Sequence, residues 1–252
     1  MIIVSPVQIP ALPTKEPRRL YVYLPEDYDA SDRRYPVLYM FDGHNVFFDD
    51  HATYGKSWGM KEYLEARQVP LILVAVECNP EGARRLFEYS PWDFRIPKRY
   101  GGPLIQGLGQ VTMDWFVREL KPQIDRTYRS LPDREHTMIA GSSMGGLMAL
   151  YAVTAYNDTF SKAAALSPCF WVCPGKLTAL LKTPLARPTA VYMDYGEAED
   201  EGDRRPHAAM FRAAGLLTGA GASVAARSVP GAEHSEAFWE QRIPVFMDYL
   251  WG

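Results

Sequence analysis

The sequence predicts an α/β fold with a mainly parallel central sheet and helices on both faces. Three observations carry that expectation. Short apolar runs alternate with stretches of helical spacing along most of the chain. The apolar runs are continuous rather than alternating, as in strands buried on both faces. Most of them stop at turn-forming residues, such as Asp42-Gly43 after 36–41 and Pro230-Gly231 after 222–229.

In chain order, strands are expected at 19–24, 36–41, 71–76, 137–140, 163–166, 189–193 and 222–229. Pro25 ends the first and Ser167-Pro168 follows the fifth. Helices are expected at 56–67, 114–128, 208–217 and 238–250, with another beginning after Ser143. In the second of these, Phe116, Val117, Leu120 and Ile124 recur near helical spacing. The stretch 79–110 is read as a long irregular excursion carrying Arg84, Arg85, Glu88, Trp92, Arg95 and Lys98. No linker divides the 252 residues, so one domain over 1–252 is expected.

Composition excludes several classes. A net charge of -3 offers no basic surface for nucleic acid or anionic lipid. No apolar run approaches the roughly 20 residues of a membrane span. The N-terminal segment 1–13 is broken by prolines and lacks the charged start of a signal peptide. Cys78, Cys169 and Cys173 form no even disulfide framework and read as free thiols. A cytoplasmic protein acting on a small molecule is the expectation, with no nucleic acid or membrane partner.

The chemistry starts at Gly141-Ser142-Ser143-Met144-Gly145, a G-x-S-x-G match lying between an apolar strand and an apolar helix. In such a motif the serine sits on a strained strand-to-helix turn, so its neighbours two residues away must be small. Ser143 is the candidate nucleophile. The backbone amide of Met144, at the helix start, is a candidate oxyanion donor. A serine hydroxyl needs a base, which follows it in this chain order together with an acid. Of the histidines after Ser143, His207 lies in a charged patch. His234 lies just beyond the last strand, where α/β sites gather, and is the candidate base. The acid belongs after the strand 189–193. Asp194, Glu197, Glu199, Asp200, Glu201 and Asp203 are all available there. The loop Asp42-Gly43-His44-Asn45 is expected to supply the second oxyanion amide, from His44. Asp42, His44, Asp49, Asp50 and His51 also suggest a metal cluster, but serine hydrolysis calls for no metal or cofactor, and none is expected.

Taken together, these segments resemble the putative esterase group of the α/β-hydrolases. That group includes esterase D, feruloyl and acetylxylan esterases and siderophore esterases. The resemblance runs from about Leu20 to the C-terminus. It rests on Tyr21-Val22-Tyr23-Leu24-Pro25, on Tyr39-Met40-Phe41-Asp42-Gly43-His44-Asn45 and on Glu88-Tyr89-Ser90-Pro91-Trp92. Glu119-Leu120-Lys121-Pro122, the Ser143 motif, and Leu166-Ser167-Pro168 with Phe170-Trp171 add to it. It implies an α/β-hydrolase fold, Ser143 as nucleophile and His234 as base. It also implies Glu199 as the acid, three residues after Gly196, with Asp200 adjacent as the alternative. The family's histidine-glycine in the oxyanion loop is Asp42-Gly43 here. The implied reaction is ester hydrolysis through an acyl-enzyme, on a carbohydrate-linked acetyl or feruloyl ester. A siderophore trilactone, a thioester, or a silent binding module are the alternatives. Trp171, Trp92 and Arg84 are the candidate substrate-binding residues.

Overall fold

The computed structural model describes residues 1–13, 16–97, 102–200 and 202–251. Lys98 and Glu201, named above, lie outside the described residues. The strands are β1 (Ile2–Val7), β2 (Arg18–Tyr23), β3 (Val37–Met40), β4 (Ile72–Val76), β5 (Phe94–Arg95), β6 (Leu104–Ile105), β7 (Thr137–Ser142), β8 (Lys162–Leu166), β9 (Thr189–Gly196) and β10 (Ala222–Val229). The helices are α1 (Met60–Ala66), α2 (Arg84–Glu88), α3 (Gly109–Trp115), α4 (Lys121–Thr127), α5 (Met144–Ala155), α6 (Pro174–Leu181), α7 (Arg205–Gly219), α8 (Glu236–Glu240) and α9 (Ile243–Trp251).

Eight strands form one sheet in the order β1-β2-β4-β3-β7-β8-β9-β10. From β4 to β10 all neighbours are parallel, while β1 and β2 pair antiparallel at one edge. This is the α/β-hydrolase architecture expected above. Strands β3, β4 and β7 are buried along their whole length, which is why they read as unbroken apolar runs.

Two apolar cores lie on opposite faces of the sheet. One gathers Phe116, Leu120, Leu147, Leu150, Leu177 and Leu217 from α3 to α7. The other gathers Leu64, Trp239, Ile243 and Phe246 from α1, α8 and α9, with Trp58 from the loop before α1. Alternate residues of each strand serve alternate cores: Tyr39 and Ile139 face the first, Leu38 and Met138 the second. Three alanines in β8, all buried, let helices approach the sheet from both sides.

Several elements differ from the sequence expectation. Strand β1 has no counterpart among the expected strands, its segment being broken by prolines, yet it pairs with β2 in full register, with Pro6 opposite Arg19. An edge strand tolerates proline because one row of its amides needs no partner. The expected helix 114–128 begins earlier, at Gly109, and widens to a π turn over Phe116–Leu120. Pro122 has no N–H to return to Arg118, and the wider turn accommodates that loss. The expected helix 238–250 is two helices, α8 and α9, with Arg242 at the break. The excursion 79–110 contains α2, the small β5–β6 hairpin and the start of α3. Helix α6 had no counterpart among the expected elements.

Candidate active site

Ser143 stands between β7 and α5 with φ 58° and ψ -121°, a strained conformation for a residue with a side chain. The flanking glycines make the turn possible. A methyl group on Gly141 would sit 2.7 Å from the carbonyl carbon and oxygen of Gly145. The Ser143 amide donates to Leu166 O at 2.9 Å, and its carbonyl accepts from Cys169 N at 3.2 Å, so the turn is tied to the end of β8. Met144 opens α5, where the first amides have no carbonyl within the helix to bind.

Strand β3 lies beside β7, which brings the Asp42 loop against the elbow. Asp42 adopts a left-handed conformation, φ 57° and ψ 49°, and a short 3-10 turn over Gly43–Asn45 follows. The amides of Gly43 and His44 open that turn. The His44 side chain is buried and its Nε2 lies 3.0 Å from Thr53 Oγ1. Its Nδ1 finds no hydrogen-bond partner among the described residues. Burial holds the imidazole below its usual range, against the pull of Asp42.

His234 and Glu199 meet across the loops after β9 and β10, with His234 Nδ1 2.8 Å from Glu199 Oε2. That contact makes Nδ1–H the donor and leaves Nε2 free to accept. The imidazole packs edge-on against Trp239, centroids 5.0 Å apart. Glu199 Oε1 accepts from the Ser167 hydroxyl at 2.5 Å and from Gly196 N at 2.7 Å. Burial would raise this carboxyl, but the hydrogen bonds from His234 and Ser167 outweigh it and hold it below the usual range. Asp200 lines the same cavity, but the hydrogen bond and ion pair of His234 go to Glu199.

Ser143, Met144, Glu199 and His234 open on one cavity of about 690 Å³. Cys169, Phe170, Trp171, Tyr195, Asp200 and Arg85 also line it. The Ser143 hydroxyl lies 3.5 Å from Cys169 Sγ, and it makes no hydrogen bond to His234 in this structure. Burial pushes the Cys169 thiol up, so the neighbour is a neutral thiol.

The substrate-binding expectations separate here. Trp171 lines the cavity and is 49 % exposed. Trp92 packs edge-on against Tyr151 and is not among the cavity's lining residues. Arg84 pairs with Glu81 at 2.9 Å on the surface, and the next residue, Arg85, reaches the cavity instead. Adjacent residues on a helix point about 100° apart, and no local signal chooses between two arginines in a row. His44 likewise is not among the lining residues.

The suggested metal cluster disperses. Asp49 Oδ1 accepts from the Ser57 amide and hydroxyl, and His51 Nδ1 faces the Tyr21 hydroxyl at 3.1 Å. Asp42, His44 and Cys78 do place ligand atoms within 4.8 Å of one another. Both Asp42 oxygens, however, accept from Arg85, at 2.7 and 2.8 Å. A cation there would meet the guanidinium first.

A strained serine elbow, a histidine–carboxylate pair and a parallel sheet that carries both define an α/β-hydrolase. Residues 13–246 match the family described as Putative esterase, and the chain belongs to that family of carboxylic-ester hydrolases. It is 24% identical over 184 residues to the uncharacterised protein YbbA of Bacillus subtilis, covering 72% of this chain and 69% of that one. It is 29% identical over 147 residues to an esterase of Mycobacterium tuberculosis, covering 58% of this chain but only 28% of that protein's length. Among solved structures, an IroE-like serine hydrolase from Shewanella oneidensis aligns with a TM-score of 0.76 at 21% identity, over 99% of this chain and 78% of that one. The siderophore hydrolase EstA from Aspergillus nidulans aligns with a TM-score of 0.73 at 18% identity, over 98% and 94%. These structures share the fold. Among the described residues, no helix is long and apolar enough to cross a membrane.

Proposed function

We propose that the protein is a serine esterase in which Ser143 is the nucleophile, His234 the general base and Glu199 the carboxylate that orients it. The observation that carries this reading is the 2.8 Å contact of His234 with Glu199 on the same cavity as the Ser143 elbow. Glu199 holds the imidazole with Nε2 toward the cavity and stabilises the imidazolium that forms.

The reaction is two-step acyl transfer. The Ser143 hydroxyl turns from Cys169 to His234 Nε2 as substrate enters, since such contacts tighten in the substrate complex. Ser143 Oγ attacks the ester carbonyl carbon while His234 takes its proton. The amides of Met144 and His44 stabilise the oxyanion. The C–O bond breaks, and His234 protonates the departing alcohol. Water, deprotonated by His234, then releases the acid and restores Ser143. No step calls on a metal or cofactor.

The substrate is a small ester with an aromatic acyl group, of the sugar-linked feruloyl kind. The cavity, about 690 Å³, falls within the range of ligand pockets and exceeds what an acetyl group fills. Trp171, Phe170 and Tyr195 offer ring surfaces on its wall. A catecholate trilactone is the second reading, favoured by Arg85, which lines the cavity while paired with Asp42 and can donate a further hydrogen bond to a phenolic oxygen.

The experiment is hydrolysis of p-nitrophenyl acetate, methyl ferulate, an acetylated xylo-oligosaccharide and a catecholate lactone by wild type and Ser143→Ala. Loss of kcat by ~10⁴-fold or more in the variant is expected. Unchanged hydrolysis by Ser143→Ala would overturn the reading.

A further inference from the structure

Behind Glu199 lies a buried cation that the reaction above does not use. Arg242, at the break between α8 and α9, is 3 % exposed. Its guanidinium lies between two carboxylates: Nη1 donates to Asp194 Oδ1 at 2.9 Å and Nη2 to Glu199 Oε1 at 3.3 Å. Asp194 is fully buried at the end of β9, and its other oxygen accepts from Tyr192 OH at 2.8 Å. Ser167 Oγ receives Arg242 Nη1 and Trp239 Nε1, each at 3.1 Å. Both lone pairs of that hydroxyl are thereby taken, so its one proton points to Glu199 Oε1.

We propose that Arg242, counterbalanced by Asp194, is a positioning residue that sets the basicity of His234 through Glu199. The proposal rests on the triad reading above. Two carboxylates and one guanidinium leave the cluster with one net negative charge, and an imidazolium on His234 brings it to neutrality. Arg242 also keeps two buried carboxylates from facing each other without a cation between them. Burial already pushes the Asp194 carboxyl up, against the pull of Arg242 and Tyr192.

The direction of each perturbation follows from charge. Without Arg242 the cluster carries two negative charges and binds a proton at higher pH. A proton on Glu199 ends its role as acceptor, and a proton on His234 ends its role as base. Either way the acid limb of kcat/KM moves to higher pH. Without the Asp194 charge, Glu199 and Arg242 cancel, the imidazolium is disfavoured, and the limb moves to lower pH. Removing both charges restores one net negative charge. Among the described residues, the other ionisable groups facing the cluster are Tyr192, Tyr195, Cys169 and Asp200, with Arg227 acting on Tyr192, Arg85 on Cys169 and Glu236 on His234. All of them are common to wild type and variants, so the differences isolate Arg242 and Asp194.

The test is the pH profile of kcat/KM on p-nitrophenyl acetate for wild type, Arg242→Gln, Asp194→Asn, the double variant and Arg242→Lys. Circular dichroism and thermal midpoints accompany it. Opposite displacements of the acid limb are expected in the two single variants, each about one pH unit, or roughly tenfold in activity on the limb. The double variant returns toward wild type, and Arg242→Lys retains the wild-type limb. Folded variants that lose activity with an unmoved limb overturn the proposal, as does a double variant with additive loss. If Arg242→Gln does not fold, Asp194→Asn decides: a limb moved down supports the proposal and an unmoved one overturns it. Failure of the triad itself reads out separately, as activity retained by Ser143→Ala.

Discussion

Arg85 grips Asp42 through two parallel hydrogen bonds, Nε to Oδ1 at 2.7 Å and Nη2 to Oδ2 at 2.8 Å. Asp42 is buried in the loop after β3, and its charge needs a partner there. Arg85 supplies it from α2 while still lining the cavity. The loop after β3 and the cavity wall are thus joined by one ion pair.

That pair gives the first prediction. Asp42 is buried, and although burial would raise its carboxyl, Arg85 holds it below its usual range. A depressed carboxyl contributes stability above its unfolded pKa of ~3.9, lost as pH falls through the lower folded value. Asp42→Asn is therefore less stable than wild type at neutral pH, and the gap closes below about pH 4. Arg85→Ala leaves a buried carboxylate unpaired and costs about 2–3 kcal/mol in urea unfolding at pH 7.

Glu199→Gln keeps the size of the side chain and removes its charge. The amide no longer selects the Nδ1–H tautomer of His234, and kcat falls by ~10³–10⁴-fold. Asp200→Asn, which leaves the hydrogen bond of His234 to Glu199 in place, costs at least ~10-fold less by the same reasoning. Steady-state kinetics on one ester decides between the two carboxylates.

Trp171 is exposed on the cavity wall, with Phe94 edge-on behind it at 5.6 Å. Trp171→Ala raises KM for methyl ferulate about tenfold, the scale of one lost aromatic contact, and leaves kcat/KM for p-nitrophenyl acetate within about twofold. Equal losses on both esters would place Trp171 outside acyl recognition.

The elbow tolerates no side chain at its first glycine. Gly141→Ala drives a methyl carbon to 2.7 Å from the Gly145 carbonyl. Both sides of that contact are backbone, so the turn itself must move. A loss of about 2–3 kcal/mol in stability and a drop in kcat larger than any change in KM are expected. Thermal unfolding and kinetics together check this.

Those predictions draw unequally on the sequence and the fold. The elbow was legible because its constraint is local: a strained φ at Ser143 dictates small residues two positions away, and the pattern is written within five residues. His234 was legible from chain order and its place beyond the last strand. Six of the seven expected strands were legible because burial on both faces leaves nearly unbroken apolar runs, whereas β10, half-exposed at the sheet edge, was marked mainly by the Pro230-Gly231 stop after it. Strand β1 was not, because only its position at the sheet edge excuses Pro6.

What the sequence by itself determined is the α/β fold, the esterase family and the serine and histidine of the candidate site. The family resemblance already pointed to Glu199 within the acidic run, and in the structure Glu199 is the one that touches His234. Only the tertiary structure decided which of two adjacent arginines reaches the cavity, and that Arg242 stands between Asp194 and Glu199. The reason is separation along the chain: the Arg242 contacts span 48 and 43 residues. Partners brought together by strand order, rather than by neighbouring positions, leave no periodicity or motif to read.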